Sequence, residues 1–331
     1  MANKDKVVQC NLTPEEAKKL QEQYTVVYEE PFVKQETDPS GTLVIRIDGW
    51  LGRVIAMTWA ITEVAKKRPV KVITSRPLAF WWNPYIDSVH WLDDRRVFLD
   101  VIRWNDYKEL EPYTDPHFFN DGMNWLDVAA MQLQLDKPAD PIMFLAEHEK
   151  LQNRLQWEKP ILFQAFGSTM NGDWADKSYR SFRVNDAQYV VNELVKRGYT
   201  VYVPERDDQP KLPGSKQLTA QNMRWLATLC DRYPVVGCDS SLQHAAKAFW
   251  KVSVVSWSGT DAGRFGYNSH INMKMEDKPY TYVPFRLWVD FDLDIINQHT
   301  NEYTREYLDR FVQNVIELEY KFALDKTTKQ K

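Results

Sequence analysis

A chain of 331 residues is long for one domain and comfortable for two. Its 44% hydrophobic and 27% charged content is that of an ordinary folded protein, which excludes collagen-like, low-complexity and broadly disordered chains. With 42 basic against 46 acidic side chains the net charge is −4, so no general nucleic-acid coat is indicated, while a local basic groove stays open.

Three scattered cysteines, Cys10, Cys230 and Cys238, predict no disulfide framework and fit a reducing compartment. No apolar run approaches the ~18 residues of a spanning helix. The stretch Met1 to Leu20 is charged and lacks the apolar centre of a secretory signal, so a cytoplasmic location is expected. Aromatic content reaches 13% with 13 Trp; such rings stack on sugars and bases alike, and most also serve as packing.

The first forty residues read as an extension. Thr13-Pro14-Glu15-Glu16 is a helix start, with a Thr cap and Pro at the first helical position, and the helix is broken before Pro31. A regular alternation begins at Gly41. Leu43–Ile47 predicts a strand, Asp48–Gly52 a turn, Arg53–Lys67 an amphipathic helix and Val70–Ile73 the next strand, together a βαβ unit. Val89–Leu92 and Val97–Ile102 predict further strands, and Asn124–Leu135 a helix. After Pro138 and Pro141 the alternation restarts. Pro160–Phe166 is a predicted strand, Asp186–Arg197 a helix stopped by Gly198, and Tyr199–Val203 a strand. Thr219 is expected to cap a helix reaching about Asp231. Val235–Cys238 predicts a strand, Leu242–Trp250 a short helix, Val252–Trp257 a strand and Tyr303–Lys321 a closing helix.

Two runs of strands and helices, split near residues 138–158, predict an α/β protein with two doubly wound, Rossmann-like domains facing a central cleft. The expected division is an extension over 1–40, a first domain over 41–150, a second over 151–300 and a terminal helix within 301–331 that packs back on the first domain. Ligands of such folds bind outside the carboxyl ends of the strands. The loops at 48–53, 167–177, 204–208, 239–244 and 258–264 are therefore expected to face one cleft.

Three of these loops carry candidate chemistry. Asp239-Ser240-Ser241-Leu242-Gln243-His244 follows a strand directly, and its helix start offers backbone N–H groups and hydroxyls suited to a diphosphate, with His244 one turn in. An ordinary Asp/Ser cap with a packed histidine explains the same residues. Gly167-Ser168-Thr169, with Lys177 after a polar loop, permits close approach to a phosphate and supplies charge, although the spacing is not that of a P-loop. Asp48 ends the first strand, where a general base is useful, and Arg53 opens a helix, where a cation is unfavourable unless it meets an anion. Asp290, Asp292 and Asp294 read as one polar strand face rather than a metal site, and no cysteine or histidine set has metal-ligand spacing. No metal and no cofactor is expected. Arg95, Arg96, Trp81, Trp82 and Trp104 could serve a polymer or an acceptor ring, with an exposed strand edge and a hydrophobic corner as the plainer alternatives.

Arg46-Ile-Asp48-Gly49-Trp-Leu-Gly52-Arg53 and Asn83-Pro84-Tyr85-Ile86-Asp87-Ser88-Val89, Gly167-Ser168 with Lys177, and Val236-Gly237-Cys238-Asp239-Ser240-Ser241-Leu242-Gln243-His244-Ala245-Ala246 occur in the order in which similar segments stand in bacterial heptosyltransferases, glycosyltransferase family 9. The chain resembles that family over roughly residues 41–265. The resemblance implies a GT-B fold and metal-independent transfer from a nucleotide-diphosphate sugar to an acceptor hydroxyl of a lipopolysaccharide or other glycan. By the same resemblance Gly167, Ser168, Thr169, Lys177, Asp239, Ser240, Ser241 and His244 would hold the donor diphosphate, and Glu205 would lie near the nucleoside. Two positions depart from the family pattern. Ser241 stands where the family has glycine, and Arg53 where it places the aspartate thought to act as base. Asp48 then becomes the expected base, with Arg53 and His244 as its catalytic companions. Two further readings stay open: a phage enzyme that glycosylates 5-hydroxymethylcytosine in DNA in the host cytoplasm, and a non-catalytic nucleotide-sugar-binding protein.

Overall fold

The computed structural model describes residues 41–152, 155, 158–167, 180–204, 209–219, 222–275 and 303–329. The expected helix at 13–23 and the Asp290–Asp294 strand lie outside the described residues, as do Ser168, Thr169, Lys177 and Glu205. No described helix is long and apolar enough to cross a membrane.

Two wholly parallel sheets organise the chain. The first has four strands, β1 (Leu43–Arg46), β2 (Val70–Thr74), β3 (Ser88–Trp91) and β4 (Asp106–Glu109), in the order β3-β2-β1-β4. The second has six: β5 (Pro160–Gln164), β6 (Thr200–Pro204), β7 (Lys216–Leu218), β8 (Val235–Cys238), β9 (Ser253–Trp257) and β10 (Ile271–Lys274). Their order is β10-β9-β8-β5-β6-β7. In both, the order reverses direction beside the first strand, the arrangement that opens a crevice at the carboxyl ends.

The helices, in chain order, are α1 (Leu51–Ala56), α2 (Thr58–Ala65), α3 (Pro116–Phe119), α4 (Trp125–Gln132), α5 (Glu147–Gln152), α6 (Val184–Lys196), α7 (Met223–Leu229), α8 (Ser241–Ala248), α9 (Ala262–Phe265) and α10 (Arg305–Lys329). The single helix expected over Arg53–Lys67 is two, interrupted at Met57, and it begins two residues early, so Gly52 and Arg53 lie inside its first turn. The helix expected from Thr219 starts instead at Asn222, whose side chain accepts from the Trp225 N–H at 2.7 Å and so fills the capping role.

The strand expected over Val97–Ile102 is a wide helical turn. Val97 and Val101, four residues apart, both turn inward onto Val44 and Ile73, while Phe98, Leu99 and Asp100 between them are exposed. That burial has the period of a helix, not of a strand. The true edge strand is the charged Asp106–Glu109, paired in register with Leu43–Arg46.

One apolar core runs without a break from the first sheet into the second. Ile45, Val72 and Trp59 belong to the same buried cluster as Leu226, Ala245, Val255 and Trp257. Polar latches reinforce it. Arg224, 3% exposed, is paired with Glu149 through two bonds of 2.5 and 2.8 Å, and donates to the Leu78 carbonyl at 2.9 Å and to that of Phe144. Lys247 meets Asp140 at 2.7 Å, and Asn124 donates to the Gly263 carbonyl at 2.9 Å.

The terminal helix does not take the partner expected of it. Tyr307, Leu308, Phe311, Val312, Val315 and Leu318 of α10 share a buried cluster with Phe163, Val201 and Val254 of the second sheet and with Val190 and Leu194 of α6. The expected return to the first domain is thus replaced by packing on the second sheet. The stripe needs an apolar surface, and the face of β5, β6 and β9 opposite the shared core supplies one. Tyr307 fastens the helix there, bonding Ser256 at 2.9 Å and donating to the Met273 carbonyl at 2.8 Å. Phe311 is fully buried between Phe163 and Phe182, with ring centroids at 6.4 and 5.3 Å. Phe311→Ala is expected to lower stability by about 3–5 kcal/mol. Chemical denaturation followed by tryptophan fluorescence measures this, and an unchanged midpoint would place the helix elsewhere.

Candidate functional site

The segment after β8 is built on a close approach. A Cβ on Gly237 would sit 2.1 Å from the Gln164 carbonyl oxygen, so only glycine lets β8 lie against β5 here. The strand then delivers Asp239, 4% exposed, into a set of polar partners. One carboxylate oxygen accepts from the Gln243 amide at 2.5 Å, the other from the Thr260 hydroxyl at 2.8 Å, and Arg180 stands 3.8 Å from the second. Asp239 is a brace: it ties the start of α8 to the loop after β9 and to Arg180. Ser240 takes the extended conformation of a cap residue, but its side chain makes no capping bond. With Ser241 it is half-buried at the helix start, so the first-turn N–H groups of α8 carry no side-chain cap.

His244 lies one turn into α8 and is 3% exposed. Its Nδ1 is 2.9 Å from the Tyr267 hydroxyl, its Nε2 is 4.0 Å from Asp239, and the Trp125 ring lies 5.0 Å away between centroids. Burial, with a smaller contribution from Arg180, pushes its pKa down to about 3, so the ring is neutral. His270 is pushed to about 3 by burial as well; it accepts from the Ser253 N–H and bonds the Gln243 carbonyl behind the same turn.

The loop after β5 comes to the same place. The Gly167 N–H donates to Ser181 Oγ at 2.9 Å, and a Cβ on Gly167 would stand 3.4 Å from Arg180 Nε. Arg180 therefore stands between Gly167 and Asp239 and brings a cation to this half of the site. The sequence analysis names Lys177, which lies outside the described residues, and not Arg180; the signal for Arg180 is a cation just ahead of the buried Ser181-Phe182 pair.

From the first half, the start of α1 meets the start of α8. A Cβ on Gly52 would fall 2.7 Å from His244 Cδ2 and 3.2 Å from Ser241 Cα, so the absence of a side chain lets the two helix starts touch. Because α1 follows β1 and α8 follows β8, the carboxyl ends of the two sheets converge at this seam.

Asp48 and Arg53 share the first-half rim without pairing. The Asp48 carboxylate accepts from the Ser75 hydroxyl. Burial would raise its pKa, but that bond, the N–H groups of Gly49 and Ser75 and the charge of Arg46 hold it below its ordinary value. Arg53 crosses Gly49 to pair with Glu111 at 2.6 Å, donates to the Leu110 carbonyl at 3.2 Å and stacks 5.1 Å from the Tyr113 ring centroid. The cation that keeps Asp48 ionised is thus not Arg53; Arg46 and the hydrogen bonds fill that part. Glu111 and Ser75 carry no sequence signal of their own, though both stand where strands β4 and β2 deliver them. Trp50, in the loop after β1, and Trp91, the last residue of β3, leave about half their surface exposed.

Among the described residues, no three His, Cys, Asp or Glu side chains come close enough to hold a metal ion. Cys230 and Cys238 are buried free thiols.

No protein-family profile matches the chain, and no curated protein matches it by sequence. Solved structures do. The chain is similar to TibC of enterotoxigenic E. coli H10407, described as an iron-containing dodecameric glycosyltransferase, with a TM-score of 0.64 and 13% identity over 86% of this chain and 78% of that one. It is similar to E. coli ADP-heptose lipopolysaccharide heptosyltransferase II, with a TM-score of 0.55 and 14% identity over 82% and 98% of the two chains. A glycosyltransferase family 9 protein from Veillonella parvula DSM 2008 gives 0.55 and 13% over 88% and 99%. The chain has the two-sheet GT-B fold of these heptosyltransferase-like proteins.

The two buried neutral histidines make stability depend on pH. Their folded pKa lies below the unfolded value of about 6.5, so the unfolded chain binds more protons between the two values and stability falls as pH drops below 6.5. Each histidine contributes a loss of about 1.4 kcal/mol per pH unit in that window. Denaturation midpoints at pH 7.5 and 5.0, a range above most carboxylate titration, should show the decline, and His270→Asn should reduce it.

Proposed function

We propose that this protein is a glycosyltransferase that moves a sugar from a nucleotide-diphosphate donor to an acceptor hydroxyl, with a glycan as acceptor. The observation that carries the reading is the meeting of Arg180, Gly167 and the uncapped start of α8 at the carboxyl end of the second sheet, directly against the start of α1 from the first. A diphosphate needs positive charge and N–H donors that are already in place, and these elements supply both. In related folds, TibC is described in complex with ADP-D-beta-D-heptose.

In this reading the acceptor oxygen attacks the anomeric carbon as the bond from that carbon to the donor phosphate oxygen breaks. The acceptor proton passes to the Asp48 carboxylate. The charge that appears on the departing nucleoside diphosphate meets Arg180, the first-turn N–H groups of α8 and the His244 ring. Ser168, Thr169 and Lys177 would extend the phosphate contacts, and Glu205 would contact the nucleoside. Asp48 suits a base that must start ionised, since its hydrogen bonds favour the carboxylate. Arg53 has its own anion in Glu111, which leaves it to shape the acceptor side rather than to neutralise the base. No bound metal is required by this scheme.

The exposed Trp50, Trp81, Trp82 and Trp91, all on the first half, favour an acceptor with a ring to stack. A hydroxymethylated cytosine extruded from DNA is the second acceptor that this surface, with exposed Arg95, Arg96 and Arg103 nearby in the chain, would suit. A nucleotide-sugar panel scored for released nucleoside diphosphate, run with lipopolysaccharide core, with hydroxymethylated DNA and with no acceptor, tests the reading. Absence of release with every pair would refute it.

Two variants sharpen the test. Arg180→Ala should weaken nucleoside-diphosphate binding by about 1.5–3 kcal/mol, the range of a hydrogen bond to a charged group, as read by titration calorimetry. Asp48→Asn should retain fold and donor affinity yet lose about 10²–10⁴-fold in turnover; near-normal transfer would remove Asp48 as the base.

A further inference from the structure

We propose that Tyr267 is a positioning residue that holds His244 in its Nε2-protonated tautomer, so that the imidazole presents a neutral N–H at the seam between the starts of α1 and α8. The function given to that N–H, donation to a donor phosphate oxygen, rests on the glycosyltransferase reading; the tautomer itself does not.

The hydroxyl proton of Tyr267 decides the tautomer. The phenol is 4% exposed, and a buried O–H left without an acceptor is costly. Among the described residues its hydrogen-bond partner is His244 Nδ1, at 2.9 Å. The nearby carboxylates are engaged elsewhere: Asp140 with Lys247 at 2.7 Å, and Asp239 with Gln243 and Thr260. Tyr267 therefore donates and Nδ1 accepts. An imidazole that accepts at Nδ1 and is neutral carries its proton on Nε2. Neutrality follows from the surroundings. The ring is enclosed by Gly52 of α1, Trp125 of α4 and Tyr267, which bring no charge. Of the charged groups, Asp239 lies 4.0 Å from Nε2, and Arg180 acts to lower the ring's pKa.

Tyr267 is itself fixed. Its carbonyl accepts from the Asn272 amide at 2.8 Å and from the His270 N–H at 3.0 Å, and Asn272 is held in turn by Trp257 Nε1 at 2.8 Å. The chain Trp257–Asn272–Tyr267–His244 thus runs from β9 and β10 to the helix start. At its end Nε2 faces Gly52, whose Cβ position would be 3.4 Å away, and stays beyond hydrogen-bond distance of Asp239. A donor so placed keeps its N–H for an incoming oxygen and does not change charge across the physiological range. A histidine in the other tautomer would turn a lone pair toward the same oxygen and repel it.

The test is nitrogen-15 NMR on the full chain with labelled histidine, the His244 signals being assigned by their loss in His244→Gln. The expected spectrum shows the proton on Nε2 and an acceptor-type Nδ1; a proton on Nδ1 in the unliganded wild type would overturn the proposal. Tyr267→Phe keeps the ring and removes the donor. Its His244 should populate both tautomers, and nucleoside-diphosphate affinity should fall about 3- to 10-fold, the scale of one hydrogen bond. A Tyr267→Phe protein whose His244 keeps the wild-type tautomer alone would show that Tyr267 does not set it. Wild-type protein with the expected tautomer but no affinity for ADP or UDP would instead overturn the nucleotide reading and leave the tautomer assignment standing.

Discussion

The whole arrangement depends on the contact between two helix starts. Gly52 of α1 and the Ser241–His244 turn of α8 approach so closely that a single methyl group would fall within 2.7 Å of the histidine ring. Each helix follows an inner strand of a parallel sheet, so this one contact sets the carboxyl ends of both sheets against each other. The continuous core of Trp59, Ala245 and Trp257, with the Arg224–Glu149 clamp, holds the two sheets in the orientation that the contact needs. Helix starts brought together concentrate partial positive charge, which is unfavourable unless an anion is to be received there or a carboxylate lies behind. Asp239 lies behind.

That carboxylate explains how polar groups survive in so dry a place. Asp239 is buried, and its two oxygens are met by Gln243, Thr260 and Arg180, each from a different segment. A buried charge with a full set of partners orders the segments that supply them. Removing any partner would leave the others misplaced, so the loop after β5, the start of α8 and the loop after β9 behave as one unit. Two buried neutral histidines complete the unit by linking it to Tyr267 and Ser253.

Much of the fold is legible in the sequence because parallel strands buried on both faces read as short β-branched runs. Leu43–Arg46, Val70–Thr74, Val235–Cys238 and Ser253–Trp257 all stand out for that reason. The elements that stay hidden obey other physics. Asp106–Glu109 is an edge strand made of charged and polar residues, and its pairing is decided by its neighbour rather than by its composition. Val97–Ile102 has strand-like residues but buries positions four apart. The terminal stripe is visible, yet which of two sheets receives it is a question of tertiary geometry. At the site, position in the chain marks Asp48, Arg53, Asp239 and His244. It does not reveal that Arg53 turns to Glu111, or that Arg180 and Tyr267 arrive from distant segments, since such pairings leave no local pattern.

The Arg53–Glu111 pair shows how the first half accommodates a cation at a helix start. An arginine in the first turn of a helix is disfavoured by the helix dipole. Here its side chain leaves the helix axis, lies over Gly49 and Tyr113, and finds a carboxylate delivered by the neighbouring strand β4. The unfavourable charge is thereby balanced locally, and the rim keeps a carboxylate that the pair does not consume. That carboxylate, Asp48, is held ionised by Ser75, two backbone N–H groups and Arg46. The rim thus carries one acid, Glu111, paired with Arg53, and a second, Asp48, that is held ionised without it.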